Sequence, residues 1–318
     1  MLGWRLLIGT IFGISFLCLF YLDWALEKMT SIPGIALFPV MVLLAILCCR
    51  EMLNLARRNH VFPVPAITYF GILLITFSGW GSFVLPRIMG DDLSVTRGHE
   101  MSHVSQGLLN QLEQLTPGNW ALSAFALAVI LVFLVEIYHY VRPDNINIRI
   151  SYTVFVMVYI GLFFTFFTLI RLVFGIMALV SFVAIVKMGD IGAFTVGKMF
   201  GRNKMAPGLS PGKTVEGAVG AIFFACLTAW VCLGIIIPKC QGVPVQWVPA
   251  PEWLCYGAAL GFVGMIGDLA ESILKRDAEV KDTSSMMPGF GGILDIMDSL
   301  LLAAPVAYGF WALELLVL

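Results

Sequence analysis

The chain has 318 residues, of which 59% are hydrophobic and only 12% charged. A soluble domain carries roughly 25% charged residues, so this composition excludes an ordinary soluble enzyme and points to a polytopic membrane protein. The net charge of −1 leaves no basic footprint for nucleic acid.

A membrane-spanning helix needs about 20 predominantly apolar residues. On that measure the chain reads as an all-α integral membrane protein with about nine transmembrane helices. They are expected near residues 4–22, 35–49, 64–85, 120–140, two within 150–187, 215–237, 253–269 and 293–316. The first lacks a clear small-residue cleavage site and reads as an anchor rather than a signal peptide. The run 150–187 holds one charge, Arg171, and is expected to form two spans with a tight turn near it.

Placing the N-terminus in the cytoplasm puts the basic groups Arg50, Arg57 and Arg58, Arg142 and Arg149, Lys187 to Lys213, and Lys275 to Lys281 inside. Lys28, Arg87, Arg97, Arg171 and Lys239 then lie outside. The bias follows the positive-inside rule. By motif content the chain divides into a three-span region, 1–119, and a six-span region, 120–318.

The longest polar loop, about 89–119, falls on the outside. Val104, Leu108, Leu112 and Leu115 have helical spacing there and predict a short amphipathic helix on the bilayer surface. The same loop contains His99-Glu100-Met101-Ser102-His103, the H-E-x-x-H pattern of zinc peptidases. The pattern is short, and Glu113 and its neighbours offer no clear third ligand, so a plain polar loop is the simpler reading. The seven cysteines form no C-x-x-C pair and mostly lie in apolar runs; Cys240 and Cys255 are the only two placed to pair.

Two polar segments on the predicted cytoplasmic side carry the chemistry. The first runs from Lys187 through Asp190, Gly197, Lys198, Gly201, Arg202 and Lys204 to Ser210-Pro211-Gly212-Lys213-Thr214-Val215-Glu216-Gly217. It reads as a glycine-rich basic loop entering a helix, whose N-terminal N–H groups favour phosphate. It is not a P-loop: the first glycine of that motif would fall at Pro207, and no strand is expected before the helix.

The second segment concentrates Asp268, Asp282, Asp295 and Asp298 with Lys275, Arg276 and Lys281 in a chain otherwise poor in charge. Charge facing lipid is expensive, so such a cluster marks a functional site. Asp295 and Asp298, three apart, share a helix face, and Glu271 follows Asp268 at the same spacing. Carboxylates for a hard cation, Lys and Arg for phosphate oxygens, and glycine for close approach together suit a magnesium–polyphosphate site.

Ser272-x-x-Lys275-Arg276-x4-Lys281-Asp282 followed by Pro288-Gly289-x-Gly291-Gly292-x-x-Asp295-x-x-Asp298 resembles the signature of the phosphatidate cytidylyltransferases (CDP-diacylglycerol synthases). Asp190-x3-Phe194-x2-Gly197-Lys198-x-Phe200-Gly201 and Ser210-Pro211-x-Lys213-Thr214-x-Glu216-Gly217 resemble that family as well. The chain departs from its pattern at Phe290, where His is usual, and at Ile296, where Arg is usual; Phe194 stands where Tyr is frequent.

The resemblance implies transfer of a cytidylyl group from CTP to phosphatidate, giving CDP-diacylglycerol and pyrophosphate, at the cytoplasmic face of a cell (inner) membrane. Asp268, Asp295, Asp298 and Asp190 are then candidates for one or two Mg²⁺ ions, alongside which a monovalent cation has a place. Lys275, Arg276, Lys281 and Asp282 are candidates for catalysis. Lys204, Ser210, Lys213, Thr214, Glu216, Ser272, Gly291 and Gly292 are candidates for substrate binding.

A related enzyme acting on another lipid phosphate, a transporter and a zinc peptidase are the rivals. A transporter would place ionisable residues at span midpoints, whereas here they gather at cytoplasmic ends. The apolar span surfaces leave a homodimer open.

Overall fold

The computed structural model describes residues 2–96, 117–140, 145–287 and 291–316. The histidine motif, the expected amphipathic helix at 104–115, and Phe290 lie outside these residues.

The architecture is helical, as a chain in lipid requires when every backbone polar group must be satisfied internally. In chain order the helices are α1 (Leu2–Thr30), α2 (Leu37–Arg58), α3 (Pro65–Thr96), α4 (Pro117–Tyr138), α5 (Ile146–Val156), α6 (Phe163–Phe200), α7 (Val215–Trp230), α8 (Ile237–Gln241), α9 (Pro251–Asp277) and α10 (Leu294–Ala312). π-helical turns join α5 to α6 (Met157–Leu162) and α7 to α8 (Val231–Ile236).

Seven helical stretches among the described residues are long and apolar enough to cross a membrane. One of them, Ile146–Phe200, is 55 residues long. At about 1.5 Å per residue it would be more than twice the thickness of the hydrocarbon layer. Its helical geometry is interrupted at Gly175 (φ 85°, ψ 179°), a conformation open to glycine and closed to most other residues. The break thus falls four residues past Arg171, near where the turn is expected. Arg171 itself is helical and buried, not a charge in an outer turn.

The chain forms two compact units. One comprises Met1–Thr10, Arg50–His60 and Val173–Leu318; the other comprises Ile11–Cys49 and Val61–Leu172. In the second unit α3 packs against α4 and the first π-helical turn. Phe38 stacks on Trp80 with ring centroids 4.6 Å apart. Arg171 donates from Nε to Asp23 at 2.6 Å and from Nη2 to Glu27 at 2.8 Å. The other oxygen of Asp23 accepts the N–H groups of Ala36 and Leu37, closing the start of α2.

In the first unit α9 packs between α7 and α10. The spacing is set by glycine. A Cβ on Gly257 would meet the backbone of Ala225 and Cys226 on α7, and one on Gly267 would come within 2.5 Å of the Asp298 carbonyl on α10. Close approach at Gly267 is what brings the next residue, Asp268, beside Asp298.

Ahead of α7 the chain makes a small antiparallel hairpin, β1 (Lys204–Ala206) and β2 (Ser210–Thr214), with Lys204 opposite Thr214. The sequence reading expects no strand here. The pairing depends on partners ten residues apart across a Pro-Gly turn, too short to leave an alternating pattern. All seven cysteines are free thiols, Cys240 and Cys255 included.

Candidate active site

α9 and α10 meet the hairpin and the C-terminal part of α6 at one cluster of charge in the first unit. On α9, Asp268, Glu271 and Ser272 occupy adjoining turns, and Lys275 follows Glu271 at i+4. Glu271 is fully buried and Asp298 nearly so. Carboxylate oxygens of Asp268, Glu271 and Asp298 all lie within 4.8 Å of one another.

Three lysines face these acids. Lys213 from β2 pairs with Asp268 at 2.8 Å. Lys275 pairs with Glu271 at 2.5 Å and Asp295 at 2.7 Å. Lys187 from α6 donates to Asp190 at 3.0 Å, to the Ile296 carbonyl at 2.8 Å and to Ser299 Oγ at 2.9 Å, and feels the charges of Asp298 and Asp268. The cluster's carboxylates, Asp190, Asp268, Glu271, Asp295 and Asp298, still outnumber its lysines.

Glu271 Oε1 is buried and accepts no hydrogen bond from the described residues. An unpaired acceptor in such a place is costly. With an all-oxygen donor set from three carboxylates, it is the environment a hard divalent cation takes. The residues present therefore fit a metal ion, held by Asp268, Glu271 and Asp298.

Asp295 is engaged differently. Its Oδ1 takes Lys275. Its Oδ2 accepts the N–H and hydroxyl of Thr283, at 3.0 and 2.8 Å, and the N–H of Gly292 at 2.6 Å. It fastens the loop that leads into α10, and its oxygens are not part of the converging trio. Asp190 bonds Lys187 and Ser299.

The remaining sequence candidates fall into two groups. Thr214 caps α7, accepting the Gly217 N–H, and Glu216 accepts the N–H groups of Arg202 and Asn203, so both fix the hairpin to the helix. Ser210 and Lys204 lie on the hairpin, and Arg276 ties its turn to α9 by donating to the Leu209 carbonyl at 3.2 Å. Ser272 donates to the Asp268 carbonyl. Gly291 forms a bridge with Met287 at φ 88°, reversing the chain before α10. Lys281 and Asp282 are exposed at the mouth of this loop.

The pattern of the sequence missed two residues. Lys187 reads as one more positive-inside charge, although its i+3 spacing to Asp190 at the end of an apolar run is a signal. Glu51, buried in α2, accepts hydrogen bonds from the loop and from the start of α10. It lies more than 200 residues from its partners and has no motif around it.

A model of the cytidylyltransferase family matches residues 4–313. The chain belongs to the cytidylyltransferase family. Relatives of this family member include proteins named phosphatidate cytidylyltransferase. The one from Synechocystis sp. is 39% identical over 152 residues, 45% of this chain and 46% of that protein. The one from Bacillus subtilis is 32% identical over 60% of this chain and 68% of its own length. The one from Chlamydia pneumoniae is 33% identical over 74% and 73%. The match to the first thus spans less than half of that relative's length.

Proposed function

We propose that this chain is a CTP:phosphatidate cytidylyltransferase that makes CDP-diacylglycerol. The observation that carries the reading is the trio Asp268, Glu271 and Asp298, with its unpaired buried oxygen, facing Lys187, Lys213 and Lys275 in a member of this family.

In the reaction a phosphate oxygen of phosphatidate attacks the α-phosphorus of CTP in line. One P–O bond forms, the bond from the α-phosphorus to the bridging oxygen breaks, and pyrophosphate leaves with the electron pair. The nucleophile is already ionised near neutral pH, so no strong base is required, and Phe290 in place of a histidine is compatible with the chemistry. Asp268, Glu271 and Asp298 would hold Mg²⁺, which supplies charge neutralisation on the phosphates.

Lys213, reaching from the hairpin, and Lys275 are placed to take phosphate oxygens, with Arg276 and Lys281 at the rim. Their work is positioning and electrostatic stabilisation. The family pattern's Arg is absent at Ile296, yet the ammonium of Lys187 lies on the Ile296 carbonyl and keeps a cation at that turn of α10.

The same reading places the N-terminus and the site on the cytoplasmic side of the inner membrane and residues 120–318 as the catalytic region. It takes the chain across the bilayer nine times. α1 and the break at Gly175 support that number, the second because it divides the long stretch Ile146–Phe200 into two crossings.

The test is pyrophosphate release from CTP by the purified chain in detergent. Release that requires phosphatidate and Mg²⁺ and is lost in Asp298→Asn is the expected result. Release indifferent to phosphatidate, or unchanged in the variant, would overturn the proposal.

A further inference from the structure

Glu51 accepts four hydrogen bonds, about the full capacity of a carboxylate. Oε1 accepts from Ser284 Oγ at 2.7 Å and the Ile293 N–H at 3.0 Å. Oε2 accepts from Thr283 Oγ1 at 2.9 Å and the Leu294 N–H at 2.9 Å. The two N–H groups belong to the opening turn of α10, where donors lack partners within the helix and a negative charge is favoured. The N-cap residue, Ile293, has no side chain that caps it, and among the described residues a carboxylate from α2 takes that place.

The bonds continue past Glu51. The Thr283 hydroxyl that meets Glu51 also lies 2.8 Å from Asp295 Oδ2, and Asp295 Oδ1 takes Lys275, which pairs with Glu271. One hydroxyl proton cannot serve both acids at once. With the hydroxyl donated to Glu51, the Thr283 N–H still reaches Asp295 Oδ2 at 3.0 Å. An unbroken series of contacts thus runs from Glu51 through Thr283, Asp295 and Lys275 to Glu271. Gly292 makes room for it: a Cβ there would strike the Thr283 hydroxyl and the Glu51 carboxylate.

We propose that Glu51 is a positioning residue for the metal-binding carboxylates, acting through Thr283, Asp295 and Lys275 on Glu271 and through the start of α10 on Asp298. This rests on the reading of Asp268, Glu271 and Asp298 as a divalent-metal site. Ligand supports of this kind typically hold about 10- to 100-fold of metal affinity.

The experiment measures Mn²⁺ binding by electron paramagnetic resonance on the purified full chain in detergent, without substrates. In Glu51→Gln the amide –NH₂ must face either the Ile293 or the Leu294 N–H, so one capping bond is lost in either orientation. Mn²⁺ affinity is expected to fall by about 10- to 100-fold. Thr283→Val, which interrupts the series without removing a buried charge, is expected to weaken binding in the same direction. Leu53→Ala, a core truncation on the same helix, controls for general loosening and is expected to lower thermal stability while leaving Mn²⁺ affinity in place.

Wild-type affinity in Thr283→Val and in a folded Glu51→Gln, or an equal loss in Leu53→Ala, would overturn the proposal. If Glu51→Gln does not fold, Thr283→Val alone decides. A wild-type chain that binds no Mn²⁺ would instead overturn the metal reading itself.

Discussion

Each compact unit holds a cluster of buried charge, and the two are finished in opposite ways. In the unit containing Ile11–Cys49 and Val61–Leu172, Asp23 is fully used: Arg171 takes one oxygen and two backbone N–H groups at the start of α2 take the other. The polar atom left over is a donor, Arg171 Nη1. In the unit containing Val173–Leu318, carboxylates exceed lysines and the atom left over is an acceptor, Glu271 Oε1. Burial of charge alone does not mark a site, since both clusters have it. A surplus of acceptor oxygens converging on one point does, because a bound cation would satisfy it.

The comparison makes its strongest claim at Arg171. Replacing it with Met strands Asp23 in a buried place without its cation, which costs about 3–5 kcal/mol. Thermal denaturation in detergent should record that loss, while turnover per folded molecule stays at the wild-type level. A selective loss of turnover would erase the distinction between the clusters.

Asp298→Asn should do the reverse. Turnover should fall on the order of 10²- to 10³-fold, the range for removing one preorganised electrostatic group, with little change in melting temperature. Pyrophosphate release beside a melting curve checks both halves.

Thr214→Ala removes the cap of α7 and should cost about 0.5–2 kcal/mol, with Thr214→Ser restoring it. The smallest effect is expected at His99→Ala, which should leave cytidylyl transfer unchanged. A loss there would return the histidine motif to the chemistry.

Much of this contrast was legible in the sequence. Asp268, Asp298, Lys213 and Lys275 stand out because charge is rare in the chain, and the structure brings the hairpin segment and the α9–α10 segment together. The apolar stretches forecast where the helices begin, because hydropathy over about 20 residues is a property of composition, but α1, α2, α3, α6 and α9 run on past the expected ends.

What was not legible depends on tertiary partners. The apolar run is long enough to imply a turn near Arg171, but hydropathy does not register a change of φ and so does not single out Gly175. Arg171 reads as a turn charge until Asp23 and Glu27, far away in sequence, come beside it. Asp295 reads as a metal ligand by its spacing to Asp298, and the backbone N–H groups of Thr283 and Gly292 that occupy it belong to a loop whose path no pattern announces. Glu51 sits beside Arg50 in what reads as an interfacial basic stretch. Its role is set by a helix start more than 200 residues downstream.

The central claim is that the phosphorus transferred is the α-phosphorus of CTP and that the converging carboxylates are required for the transfer. The most direct measurement follows label from CTP into lipid, using CTP labelled at the α- or at the γ-phosphate, with phosphatidate and Mg²⁺ present. The account predicts that α-label enters the lipid, that γ-label appears in pyrophosphate, and that neither moves in Asp298→Asn. Label from the γ-phosphate in the lipid, or α-label transferred at the wild-type rate by Asp298→Asn, would contradict it.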